Sequence, residues 1–100
     1  MGTIRPKPYL KKPEDMSYTS WQHEKWSIMQ PYYNDILNAT KAELEAALAG
    51  GAISEADYKG EINLRHIYEN MDLTQLEVYA AMNEAAAQVE IKRRNGEMER

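Results

Sequence analysis

The clearest punctuation in this chain is the dipeptide Gly50-Gly51. Glycine reaches the left-handed backbone that ends helices. Ser54 follows as an N-cap, with Glu55 and Asp57 in the first turn, where the helix dipole favours acids. The run Leu48–Ser54 therefore reads helix, tight turn, helix, and so short a connection implies antiparallel neighbours. No stretch alternates with period two, so a sheet is not required.

On the C-terminal side of that turn, residues 61–95 contain neither Gly nor Pro. Leu64, Tyr68, Met71, Val78, Met82, Ala85 and Val89 fall on a heptad-like stripe, with polar Gln75 in the remaining seam position. One uninterrupted helix would be roughly 50 Å long at ~1.5 Å per residue. The competing reading breaks it at Asp72, where Asp72-Leu73-Thr74-Gln75 forms a capping box and Met71 and Leu76 a hydrophobic staple. Leu73 and Leu76 lie off the long stripe and need burial elsewhere, which favours the break. Gly96 closes the last helix, with Lys92, Arg93 and Arg94 in its final turn, where cations offset the dipole.

On the N-terminal side, Trp26, Tyr33, Leu37, Thr40, Leu44 and Ala47 make one helical stripe. Pro31 interrupts it and predicts a kink or a break. Thr40-Lys41-Ala42-Glu43 reads as a capping box that can start a separate helix. Residues 1–17 carry Pro6, Pro8 and Pro13 without amphipathic period, so they form an extended arm. The expected organisation is an arm at 1–17, a single helical domain at 18–96 and a C-terminal tail at 97–100. The fold class is all-α, a helical hairpin or a small three-to-four-helix bundle, without internal repeat.

The segment Leu44–Tyr58, a helix followed by Gly-Gly-Ala-Ile-Ser and a second helix carrying Tyr58, resembles the helical turn of SHOCT-type short oligomerisation domains. The resemblance covers fifteen residues. Many unrelated hairpins share that pattern, so no family is assigned from it.

The charge distribution narrows the partners. Net charge is −4, yet Arg5, Lys7, Lys11 and Lys12 make the arm basic against Glu14 and Asp15. The body is acidic until Lys92-Arg93-Arg94. It therefore lacks the basic face that displaces counterions from nucleic acid, and only the arm could touch one. No apolar run approaches the roughly 20 residues that span a bilayer. There is no apolar h-region at the start, and Met1-Gly2 is followed at the sixth position by Pro6, where a myristoylation motif wants Ser or Thr. The absence of Cys rules out disulfides and thiolate chemistry and fits a reducing compartment. A cytoplasmic setting without membrane attachment is expected.

Candidate chemistry is thin. Aligning Glu55 with the first position of an EF-hand loop puts Asp57 at the third and Gly60 at the sixth. Lys59 and His66 then stand where oxygen ligands are needed, so calcium is not expected. His23 with Glu24, and His66 with Glu69, lack metalloprotease spacing and a third ligand. Glu43 and Glu45, or Glu84 and Glu90, show no sign of burial in a cleft and define no acid/base pair. Phosphate loops and nucleophile elbows are missing too. The sequence thus assigns no catalytic, metal-binding or cofactor-binding residue, and the protein reads as a non-enzyme.

What remains is contact surface. Tyr18, Trp21, Trp26, Tyr32 and Tyr33 crowd sixteen positions, more than one helix face can bury. Trp26 and Tyr33 are expected in the core and others at an interface, where Trp and Tyr are common anchors. Arg5, Lys7, Tyr9, Leu10, Lys11 and Lys12 form the candidate arm contact. Met71, Val78, Met82, Ala85 and Val89 form a candidate self-association seam, along a helix made slender by Ala80-Ala81 and Ala85-Ala86-Ala87. These features suggest a non-enzymatic helical interaction module, a small assembly, adaptor or accessory subunit of a larger complex such as a virus particle. Its partners would be proteins, a second copy included. The first alternative is a small acidic regulator or inhibitor of a nucleic-acid-handling enzyme. A helix-turn-helix DNA binder ranks lower, because the helix after Gly51 offers only Lys59, Asn63 and Arg65 among acidic neighbours.

Overall fold

A computed structural model describes residues 4–100 of the chain. The myristoylation reading at Met1-Gly2 lies outside the described residues. Five helices follow in order: α1 (Tyr18–Asn38), α2 (Lys41–Ala49), α3 (Glu55–Glu69), α4 (Leu73–Ala81) and α5 (Ala85–Arg94). No strand occurs among the described residues. The all-α class holds, with one helix more than the largest bundle expected from sequence.

Most helix starts follow local chemistry. Ser17 Oγ accepts from Ser20 N–H to cap α1. Thr40 and Glu43 make a reciprocal capping box on α2. Ser54 Oγ accepts from Asp57 N–H on α3. Between α2 and α3, Gly51 takes φ +79°, the left-handed conformation that Gly adopts without Cβ strain.

Four expectations need correction. Pro31 lies inside α1, which continues unbroken through it. The long C-terminal rod does not exist. It breaks at Asp72 as favoured, although Asp72 makes no side-chain cap bond, and it breaks again after Met82. Asn83 there adopts φ 66°, which Asn tolerates better than most residues, so neither Gly nor Pro advertised the second break. The heptad-like stripe is consequently divided among α3, α4 and α5.

The fourth correction concerns the core. Trp26 and Tyr33 are 64% and 41% exposed, whereas Met29, Tyr32 and Ile36 are the buried residues of α1. The sequence stripe joined Trp26 and Tyr33 to Leu44 through one continuous helical phase. That phase is lost at Ala39–Thr40, where the chain leaves α1 and starts α2. The main apolar cluster joins Ile4, Met29, Tyr32, Ile36, Ala39, Leu44 and Ile53, with Leu10, Leu48, Tyr58 and Ile62 packed on it. Leu76, Ala87 and Val89 are buried outside that cluster, on α4 and α5.

A buried ionic layer ties the two regions together. The last carbonyls of a helix have no partner within it, and here guanidinium groups supply the donors. Arg65 Nη2 on α3 donates to the α1 terminus at Ile36 O (2.9 Å) and Ala39 O (2.7 Å). Arg93 Nη2 on α5 donates to Leu37 O at 2.7 Å. Arg94 Nη2 donates to Tyr68 O (2.9 Å) and Glu69 O (3.1 Å) at the end of α3. Gln88 Nε2 donates to Ala80 O at the end of α4, at 3.0 Å.

Two carboxylates offset part of the layer's positive charge. Glu61 pairs with Arg65 Nε at 2.6 Å. Glu90, only 1% exposed, accepts from Arg94 Nε at 2.9 Å and from both terminal nitrogens of Arg100 at 3.1 Å. No local pattern marks Glu90 for burial. Arg100 also places its main-chain oxygen 2.7 Å from Lys41 N–H at the start of α2. With the Arg100–Glu69 ion pair at 3.4 Å, the tail is tied to α2, α3 and α5. Cα radius of gyration is 15.4 Å, above the ~13 Å usual for about 100 residues, as suits a small core split by charge.

Two measurements follow. Arg65→Met orphans the Glu61 carboxylate and the α1 terminus together, and should cost about 3–5 kcal/mol in urea unfolding. Adding Glu61→Met should recover much of it, because a removed pair costs less than a broken one. The second measurement concerns acid. Burial pushes the Glu90 carboxyl up, but hydrogen bonds from Arg100 and Arg94 outweigh it and hold the carboxyl below its ordinary value. Asp35, bonded by Arg5, is likewise lowered. Groups lowered in the folded state stabilise fully above their unfolded values near pH ~4, and that stability is lost as pH falls through the folded values. Glu90→Gln should be less stable than wild type at pH ~7 and show a shallower loss on acidification in thermal melts.

Candidate functional site

The aromatic cluster resolves into a buried member and an exposed group. Tyr32 is 1% exposed, and its hydroxyl donates to Asp57 Oδ2 at 2.8 Å. Burial, with the Asp57 carboxylate beside it, pushes the Tyr32 phenol well above its ordinary value. Burial also pushes Asp57 up, but hydrogen bonds from Tyr32, Lys7 and Ser54 prevail and lower it. Trp26, Tyr33 and Tyr18 face solvent, and Trp21 is half-buried. The rings of Trp26 and Tyr33 lie 6.3 Å apart and tilted, and Tyr33 stands 5.6 Å from Tyr32. Tyr32 thus anchors a row of rings whose outer members are exposed.

The arm residues divide in a similar way. Ile4 is buried in the main cluster and Leu10 packs on it. Arg5 makes a two-pronged pair with Asp35, at 2.8 and 3.0 Å. Lys7 pairs with Asp57 at 3.2 Å and donates its N–H to Ala52 O at 3.1 Å. Tyr9, Lys11 and Lys12 are exposed. Of the candidate seam, Val78, Met82 and Ala85 are exposed, Met71 is half-buried and Val89 is buried. These five do not share one helix.

Beside the exposed rings runs an open groove of about 610 Å³. Trp26, Gln30, Tyr33 and Leu37 of α1 form one wall. Ala56, Gly60, Glu61 and Leu64 of α3 form the second, and Asn83, Glu84, Ala85 and Ala86 close it. Its lining holds three carboxylates, Asp57, Glu61 and Glu84, and neither Lys nor Arg. Asp57 and Glu61 are engaged by this chain's cations. Glu84 is exposed and has one long contact, from Tyr68 Oη at 3.5 Å. The Gln30 side-chain oxygen is buried without a hydrogen-bond partner.

Trp26 and Tyr33, expected in the core, lie instead on the exposed side of α1 beside the groove. Gln30 carries no signal in the sequence, and Leu64 and Glu84 read there only as a stripe position and a solvated carboxylate. The small residues Gly60, Ala85 and Ala86 are visible in the sequence, but nothing there sets them on one wall. A Cβ built at Gly60 meets nothing within 4 Å. Only the approach of α1, α3 and the α4–α5 turn reveals that these positions share one concavity.

Arg93 and Arg94 differ from expectation as well. They cap the termini of α1 and α3 rather than merely complementing the dipole of α5. Among the described residues, no group of three His, Cys, Asp or Glu side chains could hold a metal ion, and no helix is long and apolar enough to cross a membrane. Compared with family models, curated proteins and solved structures, the chain matches none.

Because its Cβ position is open, Gly60→Ala should stabilise the protein by about 0.5–1 kcal/mol through helix propensity alone. Urea unfolding checks this, and a loss of stability would mean that Gly60 is packed.

Proposed function

We propose that this protein is a non-enzymatic helical interaction module, and that its groove receives a basic helical segment of a partner protein. The observation that carries the reading is the joint chemistry of the groove. Exposed Trp26 and Tyr33 stand along one side, and every charged group in the lining is acidic. Arg and Lys side chains favour such a site twice, through the uncommitted Glu84 carboxylate and through aromatic faces. The Gln30 oxygen adds a buried acceptor that needs a donor. The small residues of the second wall give a helix room to approach.

Such a module fits a small assembly, adaptor or accessory subunit of a larger complex, a virus particle included, working in the cytoplasm or in a particle built there. The same chemistry serves the alternative of an acidic regulator that covers a basic site on a nucleic-acid-handling enzyme. A DNA-reading helix fits less well. Arg65 is buried and Lys59 pairs with Glu55 at 2.9 Å, so of the three candidate readers Asn63 alone is uncommitted and exposed.

A synthetic Ala/Leu helical peptide with Arg on one face is the probe, and its Arg→Glu counterpart the control. In a Trp21→Tyr background, Trp26 fluorescence should shift saturably with the Arg peptide alone, and binding should weaken as salt rises. Trp26→Ala, followed by anisotropy of a labelled peptide, should weaken binding at least ~30-fold, the scale of an anchoring residue. Stability of that variant should stay within about 0.5 kcal/mol of wild type. Equal binding of both peptides, or binding indifferent to Trp26, would overturn the reading.

A further inference from the structure

Directly behind the groove lies a second, much smaller cavity, and it bears on how the ionic layer is completed. It measures about 10 Å³ and is lined by Glu61, Arg65, Tyr68, Glu90 and Arg93, closed by apolar side chains. Arg65 and Arg93 are 5% and 7% exposed. Each leaves one buried nitrogen without a protein partner: Nη1 of Arg65 and Nε of Arg93. Arg93 is also the buried guanidinium with no carboxylate in salt-bridge contact, its Nη2 being spent on Leu37 O. Two orphaned cationic donors beside one cavity constitute an unmet demand for an acceptor, because a buried donor without a partner is destabilising, the more so when charged.

We infer that this cavity is a binding site for one internal water molecule, bridging Arg65 Nη1 and Arg93 Nε. The volume sits at the threshold of ~10–15 Å³ that holds one water, which leaves no room for a polyatomic anion. A water oxygen accepts from both guanidinium groups, and its hydrogens turn to the Glu61 and Glu90 carboxylates that line the same space. That gives the ~2–4 hydrogen bonds typical of buried water. Burial and the positive charge of Arg65 both work against charge on Arg93. An acceptor between the two guanidinium groups moderates both effects. The site links α3 and α5 at the point where both cap α1. It shares Leu37, Glu61, Leu64 and Ala86 with the groove, so the water supports the groove wall from behind. The inference stands whether or not the groove binds a basic helix.

The test uses the wild-type protein. A high-resolution crystal structure should hold one fully occupied water within hydrogen-bond distance of both nitrogens. In solution, the Arg93 Nε–H should give a ROESY cross-peak with water of sign opposite to the diagonal, which separates a long-lived bound water from proton exchange. A cavity closed by rearrangement, with either nitrogen donating to a protein oxygen, would falsify the assignment. So would anomalous scattering at the site after a bromide soak, which would identify a halide instead.

Discussion

Helix ends make demands that short helices cannot meet alone, and this protein answers them with side chains from distant segments. Arg65 and Arg93 converge on the last carbonyls of α1, and Arg94 does the same for α3. Each such bond is charge-assisted and stronger than a neutral one. Glu61 and Glu90 offset part of the guanidinium positive charge within the same layer. With either carboxylate protonated or removed, the guanidinium groups would sit among carbonyls with excess positive charge in a poorly solvated place. The packing of α3 and α5 on α1 rests on this network as much as on apolar contact.

That choice explains the size and division of the core. A layer of Arg and Glu occupies the space in which a larger bundle would place leucines. The main cluster stays on the side of α1 to α3, and Leu76, Ala87 and Val89 are buried apart from it. Buried ion pairs return less stability than well-packed hydrophobic groups of similar volume. They do restrict which helix ends can meet, since each guanidinium must find its own carbonyls. The second consequence is the groove: α1 approaches α3 and the α4–α5 turn across small residues without closing on them. Trp26 and Tyr33 remain outside a core already filled by Met29, Tyr32 and Ile36.

Much of the local structure was legible before any tertiary information. Thr40 and Glu43, Ser54, Gly50-Gly51 and Gly96 mark helix boundaries through short-range hydrogen bonding and backbone preference. Asp72 marks one by pattern although its side chain makes no cap bond. The break at Asn83 was not legible, because a left-handed Asn has no unique signature and the neighbouring alanines argue for helix. The phase of α1 was misread because a stripe drawn through Ala39 assumed one axis where there are two. A surplus of aromatic residues was correctly recognised, but which rings would be buried was not. Tyr32 was chosen over Trp26 by the position of Asp57 and the arm, which are remote in sequence.

Local residue pattern makes the chain helical, sets where most of its helices begin and end, and supplies more aromatic residues than one helix face can cover. Those properties depend on residues within a turn or two of each other, so local chemistry suffices. Tertiary structure alone decided that Arg93 and Arg94 serve other helices, that Glu90 is buried, and that Gly60, Glu84 and Trp26 face one groove. The helix-end bonds of Arg93 and Arg94 and the walls of the groove join segments tens of residues apart. The hydrogen bonds concerned exist only once the helix axes are placed, and no local preference encodes that placement.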